Sequence, residues 1–291
     1  MKVVAIIGTY NPQQNKFMEC YNSLKDQVDK VIVTDNSEQI SDFISNIGEI
    51  VYIKNHNQGI AKAQNKAIKK AQQINADFIV FSDQDSIFEK KYVSGLIDLY
   101  SKIGDKKFAA ITPFIIDEKS NQQILFVKRW TIFKIKFDMP NNDTEFFDVY
   151  EAINSGFFVK VSCFKDIGLF REELFLDWVD FEWCWRAKQK KFNIYGTKNA
   201  KLIHELGQKK KFFMGKSFTL NHDYRYYYII RNGIFLSLKS DFNIFLKLNI
   251  FFNTLKYLIG FLLFSNNKFD LYKLLLLAIS NGIKGKMGKM Q

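Results

Sequence analysis

Cysteine is scarce: Cys20, Cys163 and Cys184 are the only three. They form neither an even disulfide set nor the paired spacing of a zinc site, which fits a reducing cytoplasm. The first apolar run, Val3 to Ile7, is too short for a signal peptide and is expected to be a first strand. That strand is followed by neither Gly-x-Gly-x-x-Gly nor a Gly-Lys-Ser phosphate loop, which disfavours the two commonest nucleotide folds. No apolar run approaches the roughly 20 residues of a membrane span, because Lys247, Asn249, Asn253 and Lys256 interrupt the most apolar region; its helices are expected not to cross. Acidic residues are few towards the C-terminus. Residues 186–291 carry 20 Lys and Arg against 4 Asp and Glu, whereas residues 1–185 carry 22 against 26. The N-terminal part is thus −4 and the C-terminal part +16, summing to +12, so the basic excess lies at one end and points that end towards phosphate, of a nucleic acid or of a membrane surface.

Aromatic residues are plentiful at 16%, with 30 Phe, and one stretch among them organises the rest. Phe78 to Ser82 reads as a fully buried strand that runs into Asp83-Gln84-Asp85. Two carboxylates one residue apart repel unless something positive lies between them, and a hard divalent cation with oxygen ligands is the usual answer. The alternative is that both merely cap the helix beginning near Glu89.

Strands are expected at Lys2–Ile7, Lys30–Thr34, Ile50–Ile53 and Phe78–Ser82, each followed by a polar cluster and then a helical pattern. This alternation predicts an α/β doubly wound, mostly parallel sheet with its ligands at the carboxyl ends of the strands. Thr9, Tyr10, Asn11, Asp35, the Asn57–Gly59 loop and Asp83–Asp85 should then open onto one crevice. Asn57-Gln58-Gly59, just ahead of a helix from Ile60 to about Gln73, offers free backbone N–H groups to a phosphate or sugar. A helix to Ile103 and a strand from Phe108 to Ile116 follow; strand-like patches at Ile124–Val127 and Trp130–Phe137 form an antiparallel excursion. Asn154 to Lys160 returns as a strand in which Gly156 marks either a close approach to a ligand or a bulge.

In Leu174–Arg186, Asp177, Asp180 and Cys184 would share one helical face, and Glu182 and Arg186 form an i, i+4 pair. Asp180 stands among Trp178, Phe181 and Trp183, where partial desolvation would raise its pKa towards that of a proton acceptor. Two short strands, Phe192–Tyr195 and Lys201–His204, come next. From Lys209 the chain is basic and helical, with Tyr224, Tyr226, Tyr227, Tyr228 and Arg231 in its first helix. Its Phe-rich helices suit either a membrane interface with anionic lipid or packing on the catalytic domain or a second subunit.

With Thr9-Tyr10-Asn11, Val33-Thr-Asp-Asn-Ser37, Asn57-Gln-Gly59 with Asn65, Asp83-Gln-Asp85 and the Trp178–Arg186 segment in this order, the chain resembles family 2 glycosyltransferases of the GT-A fold. The likeness covers roughly residues 2–205. Phe-Leu-Asp-Trp-Val-Asp-Phe-Glu-Trp at 175–183, Tyr227-Tyr228-x-x-Arg231-Asn232 and the Gly282–Gly288 tail bring it nearest the bacterial rhamnosyltransferases of O-antigen and other surface polysaccharides. The resemblance implies a catalytic domain over 1–208, with a nucleotide-sugar half to about 110, and a helical extension over 209–291. It implies that Thr9, Tyr10 and Asp35 hold the donor nucleoside, with Asp35 accepting from the base imide, that Asn57, Gly59 and Asn65 line its ribose and diphosphate, and that Asn11, Asp83 and Gln84 also belong to the nucleotide-sugar site. Asp83 and Asp85 would bind Mg2+ or Mn2+, joined by His204, which stands 24 residues beyond Asp180 as a metal-ligating histidine does in related galactofuranosyltransferases. Asp180 would be the catalytic base with Asp177 and Glu182 as helpers, and Gly156, Trp178 and Trp183 would lie in the acceptor region.

The expected reaction is an inverting, single-displacement transfer of L-rhamnose from dTDP-L-rhamnose to a lipid-linked oligosaccharide. The protein would sit peripherally on the cytoplasmic face of the membrane, with the C-terminal helices also available for a homo-oligomer. Galactose, galactofuranose or an N-acetylhexosamine are alternative sugars within the fold. Nucleotidyl transfer would call for a basic Gly-rich loop after the first strand, and Gly8-Thr9-Tyr10-Asn11 is not one. A nucleic-acid-binding protein using the basic half and its tyrosines would leave Asp83, Asp85 and Asp180 without a task.

Overall fold

The computed structural model describes residues 1–104, 106–118, 121, 123–124, 126–130, 135–137, 144–204, 209–213, 216–220, 223–264 and 268–290. Strands β1 (Val3–Thr9), β2 (Lys30–Asp35), β3 (Ile50–Lys54) and β4 (Phe78–Asp83) alternate with α1 (Gln14–Leu24), the short α2 (Asp42–Ser45) and α3 (Ile60–Gln73). All four strands are parallel, in the order β3-β2-β1-β4, as short βα crossovers require. Covered on both faces, β1 and β4 read as unbroken apolar runs, and Val3 to Ile7 and Phe78 to Phe81 are all buried. Alanines 61, 63, 67 and 71 line the buried side of α3, small enough to let the helix settle close on β1 and β2.

Beyond β4 the sheet becomes mixed. The two-residue β5 (Ile87–Phe88), α4 (Tyr92–Ile103) and β6 (Phe108–Asp117) follow, then a two-stranded ribbon of β7 (Val127–Trp130) and β8 (Ile135–Phe137), then β9 (Phe146–Asp148) and β10 (Phe158–Lys160). β10 inserts antiparallel between β4 and β6. After α5 (Cys163–Ile167) and α6 (Val179–Gln189), β11 runs from Asn193 to His204 as one strand. The two strands expected there are joined: the register against β6 shifts between Gly196 and Lys201, so a bulge absorbs the polar residues that looked like a break. All three cysteines are buried as free thiols, and burial pushes the Cys20 thiol up to about 12.

The chain divides into two compact units, one of residues 1–129, 136–171 and 180–206, the other of 130–135, 172–179 and 207–291. The second unit opens with a hairpin, β12 (Lys209–Phe213) and β13 (Lys216–Leu220), where helix was expected. It continues with α7 (Asp223–Lys239), α8 (Ile244–Phe264) and α9 (Lys268–Lys284). A cluster of Phe175, Tyr226, Tyr227, Tyr228, Ile230, Phe261, Leu275 and Ala278 forms its core. Gly233 marks the crossing of α7 and α8, where a Cβ would lie 1.9 Å from Thr254 Oγ1.

At its centre the Arg231 guanidinium is fully buried, donating to Leu174 O (3.0 Å) and Gly288 O (2.5 Å) and standing 4.9 Å from the Tyr228 ring. Burial alone would make so costly a charge untenable, and carbonyl acceptors and ring faces offset that cost. Beside it Asn232 Nδ2 donates to the carbonyls of Leu174, Leu176 and Asp177. Three non-glycine residues there, Phe175, Asp177 and Trp178, take the left-handed backbone with φ of 60–65°. Such backbone persists only when its surroundings over-determine it, and Arg231 and Asn232 supply that constraint.

Candidate active site

The ends of β1 to β4 gather the first group of polar side chains. Thr9 at the end of β1 pairs with Asp35 at the end of β2, and Gly8 with Asp83 at the end of β4, so register alone brings these residues to one edge. Tyr10, just past β1, is 46% exposed, leaving its ring face free. Gln84 Oε1 accepts from Tyr10 N (2.8 Å) and Gln84 Nε2 donates to Tyr10 O, so Gln84 clasps the β1 loop to the β4 loop. Asn11 takes φ 45° and donates its N–H to Ser37 Oγ (2.7 Å). Asn57 takes φ 48° and reaches Glu38 Oε1 (2.9 Å), while Gly59 at φ 96° sets the start of α3.

Asp35 is fully buried and saturated. Its Oδ1 accepts from Thr9 Oγ1, Ser37 N and Ser37 Oγ, and its Oδ2 from Ser41 N and from Tyr52 Oη at 2.5 Å, with Lys54 Nζ 3.8 Å away. Burial pushes its pKa up, but the Ser37 and Tyr52 hydrogen bonds and the Lys54 charge prevail and hold it below the usual 3.8. As placed, Asp35 is a post that positions Thr9, Ser37 and Tyr52, and the sequence-based role of accepting from a base imide meets no free lone pair here. Asn65 departs further from its expected role. Its carboxamide is buried and spans the Phe170 main chain, Nδ2 to O and N to Oδ1, so it fixes the 167–171 segment instead of lining the ribose or diphosphate.

Asp83 and Asp85 flank His204, the last residue of β11. His204 Nε2 lies 3.7 Å from Asp83 Oδ2 and His204 Nδ1 lies 3.4 Å from Asp85 Oδ1; the two carboxylates keep 36% and 27% of their side-chain surface exposed. Burial lowers the imidazole pKa, yet hydrogen bonding to Asp85 and the charges of Asp83, Asp85 and Asp117 raise it above 6.5. Two hard carboxylates and one imidazole are a donor set suited to Mg2+ or Mn2+. Among the described residues, however, no three such side chains stand ready as an ion's coordination shell, and here each ring nitrogen faces a carboxylate.

Ser86 and Ser155, absent from the sequence reading, tie this cluster to the rest of the site. Ser86 Oγ lies 3.1 Å from His204 Nδ1 and 2.5 Å from Ser155 Oγ, and both serines are fully buried. The residue before Ser155 donates its N–H to Asp180 Oδ2 (3.2 Å), and Phe181 N donates to Asp180 Oδ1 (2.9 Å). Asp180 is half-buried in the first turn of α6. Within one compact unit, a two-residue segment thus connects the Asp83/Asp85/His204 cluster to the Asp180 carboxylate.

The proposed helpers and acceptor residues are placed otherwise. Asp177 precedes α6, so it does not share a helical face with Asp180; it is paired with Arg225 at 2.5 Å. Glu182 is 1% exposed and paired with Arg186, whose guanidinium also caps the carbonyls of Ile167 and Leu169, so it is a structural tie and no proton carrier. Trp183 is fully buried against Phe157, Phe164 and Phe170. Trp178 is buried with Nε1 on Ile229 O. Neither ring is available to an acceptor. Gly156, at φ 77°, has its N–H on Phe81 O and its O on Tyr92 Oη, and a Cβ would strike Pro113, Tyr92 and Leu202; close packing explains this glycine, not an acceptor.

This arrangement can be compared with known proteins. The profile of "Glycosyl transferase family 2" matches residues 4–168. Over 290 residues the chain is 29% identical to the dTDP-rhamnosyl transferase RfbF of Shigella flexneri, covering 98% of this chain and 97% of that protein. Among solved structures, GalNAc-T7 with UDP, GalNAc and Mn2+ superposes with a TM-score of 0.58 at 13% identity, over 90% of this chain and 56% of that one. S. aureus TarS superposes with a TM-score of 0.56 at 17% identity, over 98% of this chain and 49% of that one. The chain thus spans about half the length of these two structures, and at such identities they speak for the GT-A fold alone. Taken with the family match over more than half its length, this makes the chain a member of glycosyl transferase family 2 and a glycosyltransferase.

Proposed function

We propose that the protein transfers L-rhamnose from dTDP-L-rhamnose, with inversion at the anomeric carbon, to a lipid-linked oligosaccharide in bacterial surface polysaccharide synthesis. The donor is suggested by the relative named a dTDP-rhamnosyl transferase, which matches over nearly its whole length. One observation carries the chemistry: Asp180 is linked through the 154–155 segment to the Asp83/Asp85/His204 cluster. A single displacement needs a base on one side of the sugar and a site for the departing diphosphate on the other. Asp180, held by two main-chain N–H groups, takes the proton of the acceptor hydroxyl as its oxygen attacks the anomeric carbon. The bond to the nucleoside diphosphate breaks on the opposite face, and no covalent sugar intermediate forms.

Asp83, Asp85 and His204 would hold Mg2+ or Mn2+, which neutralises charge on the diphosphate. Tyr10 offers its exposed ring to the base, and the strained turn at His56, Asn57 and Gly59 offers main-chain N–H groups to the ribose and phosphates.

The second unit supports attachment to an anionic membrane. On α8, which packs on α7, Leu246, Ile250 and Phe261 are buried, whereas Phe245, Leu248, Phe251, Phe252, Leu255, Ile259 and Leu262 are exposed. By length and composition alone, Ile244–Leu263 could cross a membrane, contrary to the sequence expectation. One side of this helix is nevertheless engaged by α7, which buries the charged Arg231, so lying in the interface fits better than spanning. The basic charge of residues 186–291 would hold it against anionic lipid on the cytoplasmic face. Nucleic acid is not an expected partner.

A panel of nucleotide sugars tested for transfer, with and without a chelator, checks this reading. dTDP-L-rhamnose should be the preferred donor, chelation should abolish turnover, and Asp180→Asn and Asp85→Ala should each lower turnover by about 10²-fold or more. Preference for UDP-galactose or UDP-N-acetylhexosamine would overturn the sugar assignment, and undiminished turnover in both variants would overturn the mechanism.

A further inference from the structure

Asn154 is the residue between Asp180 and the serine pair, and its side chain is anomalous. Its main chain is fully used, N–H on Asp180 Oδ2 and O accepting from Phe157 N. Its carboxamide is not: both Nδ2 and Oδ1 are buried from solvent and have no hydrogen-bond partner among the described residues. Of the unmatched buried polar atoms there, those of Thr34, Asn55 and Gln123 are single, whereas Asn154 is the one carboxamide with donor and acceptor both unmatched. A buried amide left so is a stability liability that native proteins seldom retain without a reason.

We propose that the Asn154 carboxamide is a binding and specificity-determining group for the hydroxyls of the transferred sugar. This rests on the glycosyl-transfer reading above. In that reaction the sugar ring must lie between the attacking oxygen, at Asp180, and the departing diphosphate, near Asp83 and Asp85. Asn154 stands between the two, joined to the first by its own N–H and to the second through Ser155, Ser86 and His204. The chemistry of the amide narrows the ligand further. A phosphate oxygen satisfies only the donor and a cation only the acceptor. A carbohydrate hydroxyl, or a vicinal pair of them, both gives and receives, and so matches the two unmatched atoms together. Sugars differing in the orientation or presence of that hydroxyl would leave half of the amide unpaired, which is how a polar pocket discriminates.

The test uses the full-length protein with dTDP and dTDP-L-rhamnose as probes, measured by calorimetry in the presence of Mg2+ or Mn2+, for wild type, Asn154→Ala and the near-isosteric Asn154→Leu. Both variants should bind dTDP within about twofold of wild type, bind dTDP-L-rhamnose about tenfold more weakly, and lose at least as much in kcat/KM for transfer. Their melting temperatures should equal or exceed that of wild type, since the replaced amide contributes no bond to the fold. Unchanged affinity and kcat/KM would overturn the proposal, as would equal loss of dTDP and dTDP-L-rhamnose binding with a lowered melting temperature, which marks a structural residue. If wild type binds neither dTDP nor its sugar, the functional reading falls first and this one with it; if dTDP binds and the sugar adds nothing in wild type, this proposal alone falls.

Discussion

Aspartates and glutamates that look interchangeable in sequence are given distinct tasks by their partners. Asp180 keeps its position by accepting a main-chain N–H on each oxygen, so Asp180→Asn retains the side-chain shape and one of those bonds while removing the proton acceptor. Transfer is expected to fall by about 10²–10⁴-fold, measured by initial rates with saturating donor, against a stability loss of only about 1–3 kcal/mol. Glu182→Gln should do the reverse. It strands Arg186 within a largely buried pair, and urea denaturation should show a loss of about 3 kcal/mol before any loss specific to catalysis. Asp35 carries a pH signature. Because its folded pKa lies below the ordinary 3.8, it stabilises the protein above that value, and this contribution is lost as pH falls below 3.8 towards the depressed folded value. Acid titration of stability should therefore be shallower in Asp35→Asn, whose stability at neutral pH is lower. The aspartates of β2 and β4 were legible in sequence because each follows an unbroken apolar strand. The roles of Asn65, Asp177 and Trp183 were not, because they depend on Phe170, Arg225 and Phe157, partners distant in sequence or invisible to periodicity.

Elements follow the same division. β1 to β4 and α3 were read almost to the residue, since buried parallel strands and an alanine-faced helix leave strong local patterns. The joined β11 and the β12–β13 hairpin were missed: a bulge hides continuity, and a run of lysines resembles a solvated helix face as readily as a strand. The α7–α8 crossing was also invisible, since a glycine inside a helix does not announce what it touches. A methyl group at position 233 would overlap the Thr254 hydroxyl, so Gly233→Ala should cost about 1–3 kcal/mol in thermal or urea unfolding. Adding Thr254→Ala should recover part of that loss, a coupling that a mere change in helix propensity would not produce.

Over the whole molecule, basic charge and exposed apolar surface coincide in the second unit. Residues 207–291 carry 14 Lys and Arg against 3 Asp and Glu, and α8 within them exposes Phe245, Phe251 and Phe252, a combination suited to an anionic lipid interface. Full-length protein should co-sediment with vesicles rich in anionic lipid, less so as salt is raised, and only weakly with neutral ones. Replacing Phe251, Phe252 and Leu255 with serine should reduce binding at least tenfold while leaving transfer to a short soluble acceptor intact. Salt-insensitive binding to neutral vesicles, or none to either, would reject the membrane assignment.

The contacts of the C-terminal tail bear on how the second unit is made. Gly288 N donates to Glu173 O, Gly288 O receives Arg231, and Met290 N donates to Tyr228 Oη. A polypeptide emerging from the ribosome therefore carries Glu173 and the segment behind it long before their partners are synthesised. Until residues 288–290 clear the exit tunnel, Arg231 lacks one of its acceptors, and nascent chains halted short of that point should remain protease-sensitive between 172 and 179.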